Sequence, residues 1–258
     1  MVESWDFFDQ LNPWRQSIEQ ELRVARSIQQ ASLPKGLPRL GGWEVTTRYQ
    51  PARQVGGDFY DFLELAEGQL GFVVGDATGH GMPAALVMAT ARSMLRAVAQ
   101  ASHPPGDVLE RVNDPLVNEI PPNMFITCFY AILDPERGNL TYANAGHDLP
   151  YVHRSDGGCE ELRARGMPLG LMPGMSYEEN EIVLEPRDNA LLYSDGLVEA
   201  HDPKGEMFGF PRLQRLITEH NEQRSLVDFL MEKLYSFVGQ GREQEDDITL
   251  VTLRRSAT

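Results

Sequence analysis

The chain has 258 residues and a formal net charge of −15 at pH 7, and its 41% hydrophobic and 24% charged residues are typical of a globular protein. The acidic balance argues against nucleic acid as a partner, because binding to a duplex needs a basic face. The first residues do not show the basic and apolar pattern of a signal segment, and Arg92 and Arg96 interrupt the apolar stretch that follows Met82. We therefore expect no membrane insertion and a cytoplasmic location. Cys128 and Cys159 are expected to be reduced thiols.

The N-terminal part of the chain divides into two segments. Residues 1–13 show no clean period and are interpreted as a flexible lead-in or a docking peptide. Residues 14–33 carry apolar side chains at three-to-four spacing and precede Pro34, which predicts a helix that ends there. This helix either packs on its own domain or serves as a dimerising or signal-carrying element. We therefore divide the chain into an N-terminal segment, residues 1–33, and one larger domain, residues 34–258.

Strands and helices are interspersed through the larger domain. Strands are predicted at 43–49, from residue 59, and at 72–74, 124–133, 140–145, 151–154, 189–194 and 248–253. Helices are predicted at 82–101, 107–120, 211–220 and 225–238, with Asp107 as the N-cap of the second. The acidic run at 178–181 is interpreted as a solvated face.

Carboxylates stand at the ends of several predicted strands. They are Asp58, Asp76 in a glycine-rich turn, Asp195, and the pair Asp246 and Asp247. An Asp beside Gly is by itself a common turn residue. Carboxylates from four strand ends that meet in one cleft repel one another, and that arrangement persists only when protons or divalent cations neutralise them. Oxygen ligands favour magnesium or manganese, and two cysteines are too few for a thiolate zinc site. The pattern indicates one hard-cation site.

Five segments, in order, carry a resemblance to a known family. They are PARQVGGDFYDF, VVGDATGHGMPAALVMA, YANAGHDLP, LLYSDGLVEA and DDITLV, and they resemble the SpoIIE/RsbU-type branch of the metal-dependent (PPM) protein serine/threonine phosphatases. The resemblance runs from about Glu21 to the C-terminus. It implies an α+β fold, an α-β-β-α sandwich of two antiparallel sheets flanked by helices. It also implies two divalent cations, Mn²⁺ or Mg²⁺, held between the sheets.

The resemblance implies roles for the strand-end carboxylates. Asp76 would bridge the two ions, and the backbone carbonyl of Ala77 would complete one of the two sites. Asp195 and Asp246 would hold the second ion. Asp58 would bind a metal directly or through a water.

Four further residues receive predicted roles around these carboxylates. Asp247 is expected to support the ligands or to substitute for one of them. Arg53 could contact a substrate phosphate, or it is a solvent-facing turn residue. His80 is a candidate general acid, although it stands two positions later than the family's Asp-Gly-His pattern would place it. His147 is expected to fix a nearby loop rather than to bind metal.

The predicted function is hydrolysis of a phosphoserine by a water that a binuclear metal centre activates. The resemblance implies a phosphorylated anti-sigma-factor antagonist of the STAS type as substrate, in bacterial stress or developmental signalling. It also implies an upstream sensor or activator that acts through the N-terminal helix, and it is compatible with a homodimer. Two alternatives stay open: an inactive phosphoprotein-binding regulator of the same fold, and a hydrolase of small phosphoesters or nucleotides. The chain shows no Walker glycine-lysine loop.

Overall fold

The computed structural model of the chain describes residues 5–101, 104–221, 224–239 and 241–257, with side chains from residue 14 onward. The chain begins with helix α1 (Trp5–Ser32) and continues through strands β1 (Trp43–Gln50), β2 (Phe59–Glu64) and β3 (Leu70–Ala77). Helices α2 (Met82–Ala99) and α3 (Pro105–Glu119) follow. Then come β4 (Ile126–Asp134), β5 (Asn139–Ala145), β6 (Tyr151–His153), β7 (Cys159–Glu161), β8 (Glu179–Val183) and β9 (Asn189–Tyr193). Helices α4 (Phe210–Glu219) and α5 (Leu226–Val238) precede the last strand, β10 (Ile248–Arg255).

The strands form two five-stranded sheets. The first sheet has the order β1-β10-β9-β6-β7 and the second has the order β2-β3-β4-β5-β8. Every neighbouring pair is antiparallel. Helices α2 and α3 contact strands of the second sheet, whereas α4 and α5 contact strands of the first. The predicted α-β-β-α sandwich is confirmed.

Alternation along β9 shows how the two sides of the first sheet are filled. Ala190 and Leu192 belong to the core between the sheets, whereas Leu191 and Tyr193 pack into a second cluster beneath α4 and α5. Successive side chains of a strand point to opposite faces, so a strand with both faces covered is apolar throughout. This explains the uninterrupted apolar run before Asp195.

The structure differs from the sequence-based expectations at some element boundaries. The backbone is helical from Trp5, so the predicted lead-in at 1–13 is helical over residues 5–13, and residues 1–4 lie outside the described part of the chain. Helix α3 begins at Pro105 with Pro104 as its N-cap, so Asp107 lies in the first turn and the predicted cap was wrong. The acidic run at 178–181 overlaps strand β8 at the edge of the second sheet, where every other residue is exposed. None of the helices in the described ranges is long and apolar enough to span a bilayer.

Candidate metal centre

The strand-end carboxylates of both sheets come together at one end of the sandwich. Asp58 directly precedes β2, Asp76 lies near the end of β3, and Asp195 lies just beyond the end of β9. Asp246 and Asp247 precede β10, which pairs with β9. Because β2 pairs with β3 in antiparallel register, the start of one strand lies beside the end of the other. The structure therefore brings together all five carboxylates that the sequence singled out.

Asp58 is the most deeply buried member of this group. Its Oδ2 accepts hydrogen bonds from Ser194 Oγ and from Thr249 Oγ1, both at 2.6 Å. Burial raises the pKa of the Asp58 carboxyl well above its usual range, and the charges of Asp76 and Asp247 raise it further. The two hydroxyl donors oppose that shift, because they stabilise the ionised form.

Asp76 lies among the other carboxylates. Burial raises its pKa to about 8, with further contributions from the charges of Asp195, Asp246 and Asp247 and an opposing hydrogen bond with Asp58. These carboxylates are therefore close enough to disfavour one another's ionisation. Such a group is neutralised either by protons or by a bound cation.

Asp195 extends the acidic group toward two residues that the sequence analysis missed. Burial raises its pKa to about 7, and the charges of Asp246, Glu199 and Asp148 raise it further. Asp148 follows His147 in a loop, and Glu199 lies one helical turn after Asp195. Asp148 lies in the segment YANAGHDLP and Glu199 in LLYSDGLVEA, but the sequence analysis gave neither residue a role.

Asp247 holds a loop in place through both of its carboxylate oxygens. Oδ1 accepts a hydrogen bond from the backbone N–H of Ala52 at 2.7 Å, and Oδ2 accepts one from Gly57 at 2.8 Å. A Cβ on Gly56 would lie 2.0 Å from Asp247 Oδ2, so only glycine allows this approach. This geometry fits the supporting role that the sequence analysis gave to Asp247.

Gly57 leaves space beside Asp76, the residue predicted to bridge the two ions. A Cβ added there would lie 2.6 Å from the Ala77 carbonyl oxygen and 2.9 Å from Asp76 Oδ1. The carbonyl and the carboxylate are therefore near one another and are not covered by a side chain at this position. Carboxylate and carbonyl oxygens are the ligands that hard divalent cations take in proteins, so the donor set fits magnesium or manganese. Within the described ranges, no three or more His, Cys, Asp or Glu side chains are already arranged to hold a metal ion by themselves.

Arg53 and His80 both lie near Asp246. Burial raises the pKa of the Asp246 carboxyl, whereas the charges of His80 and Arg53 lower it. Both side chains are exposed. Their position at the open side of the acidic group is compatible with the predicted contact to a substrate phosphate and with the predicted proton donor.

His147 joins the two sheets. Its ring nitrogens contact Thr127 Oγ1 on β4 at 2.8 Å and the Tyr193 carbonyl on β9 at 3.0 Å. Asn144 holds the backbone of His147 through two hydrogen bonds, at 2.7 and 2.9 Å. Burial lowers the pKa of His147 to about 4, so the ring is neutral near pH 7. These contacts agree with the interpretation that His147 fixes a loop.

A helix-flanked pair of antiparallel sheets with an acidic cleft at one end defines a class, the PP2C-type phosphatase domains. The SiaA-PP2C domain of Pseudomonas aeruginosa superposes with a TM-score of 0.81 at 26% sequence identity, over 94% of this chain and 98% of that one. RsbX, whose structure was determined in complex with magnesium, has a TM-score of 0.65 at 16% identity over 86% and 99% of the two chains.

Sequence comparison gives the family within that class. Residues 66–256 match the family model of Stage II sporulation protein E (SpoIIE), and the chain belongs to this family of PP2C-type serine phosphatases. Phosphoserine phosphatase RsbU of Bacillus subtilis is 31% identical over 93% of this chain and 72% of its own length. Protein IcfG of Synechocystis sp. is 31% identical over 92% of this chain, which spans only 42% of IcfG. The resemblance found in the five motifs is confirmed.

Proposed function

We propose that the chain is a metal-dependent protein phosphatase that hydrolyses a phosphoserine on a regulatory protein. The observation that carries this proposal is the group of mutually repelling carboxylates beside the uncovered Ala77 carbonyl. Membership in the SpoIIE family and the relation to the phosphoserine phosphatase RsbU support the choice of substrate class. The substrate would be a phosphorylated anti-sigma-factor antagonist of the STAS type.

Two divalent cations, Mg²⁺ or Mn²⁺, would be held at this end of the sandwich. Asp76 would contact both ions, and the Ala77 carbonyl, Asp195, Asp246 and Asp58 would complete the ligand set. The bound ions supply Lewis acidity, which lowers the pKa of a water molecule and offsets the negative charge of the phosphoryl group. The RsbX structure with magnesium supports the type of ion.

The chain's own side chains would orient the substrate and donate a proton to the leaving seryl oxygen. The guanidinium of Arg53 would bind phosphoryl oxygens with its paired N–H donors, outside the ring of carboxylates. Water attacks phosphorus in line with the seryl oxygen, the P–O bond to serine breaks, and the departing oxygen takes a proton from His80. The inorganic phosphate that forms carries the water's protons, and one of them returns to His80. Asp247 would keep the loop of Arg53 in position through its bonds to Ala52 and Gly57.

The N-terminal helix is proposed to carry regulation. The division into a regulatory segment at 1–33 and a phosphatase domain at 34–258 follows from this assignment. Several large apolar side chains of α1 are exposed: Trp14, Ile18, Val24 and Ile28. Near its end, Gln29 is buried and exchanges hydrogen bonds of 2.7 and 3.1 Å with the backbone of Gly56. An upstream sensor or a second copy of the chain could therefore act through α1 on the loop that precedes Asp58.

Phosphate release from three substrates tests the proposal. The full chain with manganese is assayed on a phosphoserine-bearing STAS protein, a nucleotide and an aryl phosphate. We expect the phosphoprotein to be preferred, and Asp76→Asn to lower kcat by a factor on the order of a thousand, as the loss of a main electrostatic contributor does. Glu136→Gln, at an exposed carboxylate in the β4–β5 turn, should leave the rate unchanged.

Each alternative has its own outcome in this assay. Equal or faster release from the nucleotide or the aryl phosphate would indicate a small-molecule hydrolase. Binding of the phosphoprotein without release of phosphate would indicate an inactive regulator. Retained activity in Asp76→Asn would refute the role of Asp76.

A further inference from the structure

A second polar site lies at the opposite end of β9 from the carboxylates. Two adjoining cavities of about 210 Å³ each share Asn189, His220 and Arg254 as lining residues. Asn189 begins β9 and Tyr193 ends it, a separation of roughly 13 Å in an extended strand, and Asp195 lies beyond that end. We call this site the basic groove, and its basic side chains are His153, Arg154, Arg187, His220, Arg224 and Arg254.

The charge of the basic groove is opposite to that of the whole chain. The chain carries a net charge of −15, yet among the described residues one of the two cavities is lined by three arginines and two histidines and by no Asp or Glu. Of the described residues, the other cavity adds Arg224 and the acidic residue Glu44. The local field is visible at His220, whose pKa is lowered first by burial and then by the charges of His153, Arg224 and Arg254. The groove therefore attracts anions although the molecule as a whole repels them.

The arginines are held so that some of their N–H donors remain available. Arg154 is fixed by Asp188 at 2.6 Å and by Glu160 at 2.7 Å, and Arg224 is fixed by Glu232 at 2.5 Å. A guanidinium has five N–H donors, so these contacts position the group without using all of them. Arg187 is exposed, and its backbone lies in the left-handed region, with a φ of 74°.

Buried polar atoms in the groove independently indicate a ligand. Asn189 is only 7% exposed, and its side-chain Oδ1 has no hydrogen-bond partner among the described residues. Ser225 Oγ is also buried and has no partner within the described ranges, where Ser225 is the N-cap of α5 but makes no side-chain cap bond. Buried polar groups are almost always paired, so each unpaired one requires an explanation. Backbone N–H groups at a helix N-terminus such as that of α5 favour an anion.

We propose that the basic groove binds a phosphate group, either as inorganic phosphate or as part of a small phosphorylated metabolite. Its anionic oxygens would accept hydrogen bonds from the guanidinium groups of Arg187 and Arg224 and from the start of α5. A hydroxyl, on phosphorus in the free ion or on the organic part of the metabolite, would donate to Asn189 Oδ1. Sulfate and simple carboxylates carry no such proton at neutral pH, so they meet only half of these requirements. The second cavity gives the organic part a place to lie.

Calorimetric titration of the full chain tests this site. The chain is titrated with inorganic phosphate, a sugar phosphate and sulfate, once after chelation of metals and once with manganese. In the chelated protein the acidic cleft repels phosphate, so binding there reports on the groove. We expect both phosphates to bind at least about tenfold more tightly than sulfate, because sulfate leaves the Asn189 acceptor unpaired. The tighter of the two phosphates identifies the source of the ligand.

Variants at exposed positions locate the binding. Arg187→Gln and Arg224→Gln should each weaken phosphate binding by about tenfold or more, because each removes a charge-assisted hydrogen bond. Arg215→Gln is the matched control, since Arg215 is an exposed arginine of α4 that does not line the groove. Unchanged melting temperatures in all three variants establish that each is folded.

Several results would overturn the proposal. They are the absence of binding to the chelated chain at millimolar phosphate, equal affinity in all variants, and binding that requires manganese and is lost in Asp76→Asn. The last result would place phosphate at the carboxylates instead. The outcome is independent of whether the chain hydrolyses phosphoserine, because the groove shares no residue with the cleft.

Discussion

Replacement of Asp76 by Asn should stabilise the metal-free chain, and the effect should grow with pH. Burial raises the pKa of the Asp76 carboxyl from its ordinary value of 3.8 to about 8 in the folded chain. Its contribution to stability is therefore fully present below the unfolded value and is lost as pH rises through the folded value. Each pKa unit corresponds to about 1.36 kcal/mol, and about pH 7 lies roughly three units above the ordinary pKa of an Asp carboxyl. The loss of stability that ionised Asp76 causes at this pH therefore has an upper limit near 4 kcal/mol. An amide of the same shape does not carry this cost, and it can donate to Asp58.

Urea unfolding in the presence of a chelator measures the effect. The free energy of unfolding of the unmodified chain should fall between about pH 5 and about pH 8, and the fall should be shallower in Asp76→Asn, by about 1 to 4 kcal/mol. Glu136→Gln should follow the unmodified chain at every pH. Parallel curves for Asp76→Asn and the unmodified chain, or a variant that is less stable at the upper pH, would refute the electrostatic account of this residue.

Two further predictions concern the loop that precedes Asp58. Manganese should raise the melting temperature of the unmodified chain, because a ligand that binds only the folded state stabilises it. Gly57→Ala should lose this response, whereas Gly41→Ala, whose added Cβ would meet nothing within 4 Å, should keep it. An equal manganese shift in both variants would count against a metal site beside Gly57. Gln29→Ala should lower the free energy of unfolding by about 1 to 3 kcal/mol, since it leaves buried polar groups of Gly56 unpaired. Gln20→Ala, at an exposed position on the same helix, should change the free energy of unfolding by less than about 0.5 kcal/mol in urea. Equal effects of the two variants would show that the Gln29 contact contributes nothing.

The sequence predicted the carboxylates of the site because each follows or precedes an apolar run, and an apolar run that ends on Asp is a local signal. The supporting residues give no such signal. Ser194 and Thr249 lie within two of the quoted segments, but their bonds to Asp58 join parts of the chain far apart in sequence, which no local pattern shows. Glycines can be predicted to allow close approach, but which atom approaches Gly56 or Gly57 depends on how the two sheets pack. Tertiary contacts of this kind are not encoded in any short segment.

The pattern of apolar residues was sufficient to predict long helices and strands but not short strands. The apolar runs of β3 and β9 were recognised because both faces of these strands are covered, so nearly every residue is buried. The helix at residues 14–33 was recognised from the spacing of its apolar side chains, although Trp14, Ile18, Val24 and Ile28 are exposed. Strand β7 has three residues and β8 alternates only weakly at the edge of its sheet, so neither differs in composition from a loop. The basic groove was invisible for another reason: its arginines come from separate segments, each of which is unremarkable in isolation.

Hydrogen bonds join the two sheets at the end of the sandwich where the carboxylates repel one another. Asp58 of the second sheet accepts bonds from Ser194 and Thr249 of the first, and His147 links Thr127 of the second sheet to Tyr193 of the first. Neutral donors thus oppose the repulsion on both sides of the cleft. The electrostatic cost at Asp76 should therefore appear as a pH-dependent loss of stability and not as a failure to fold.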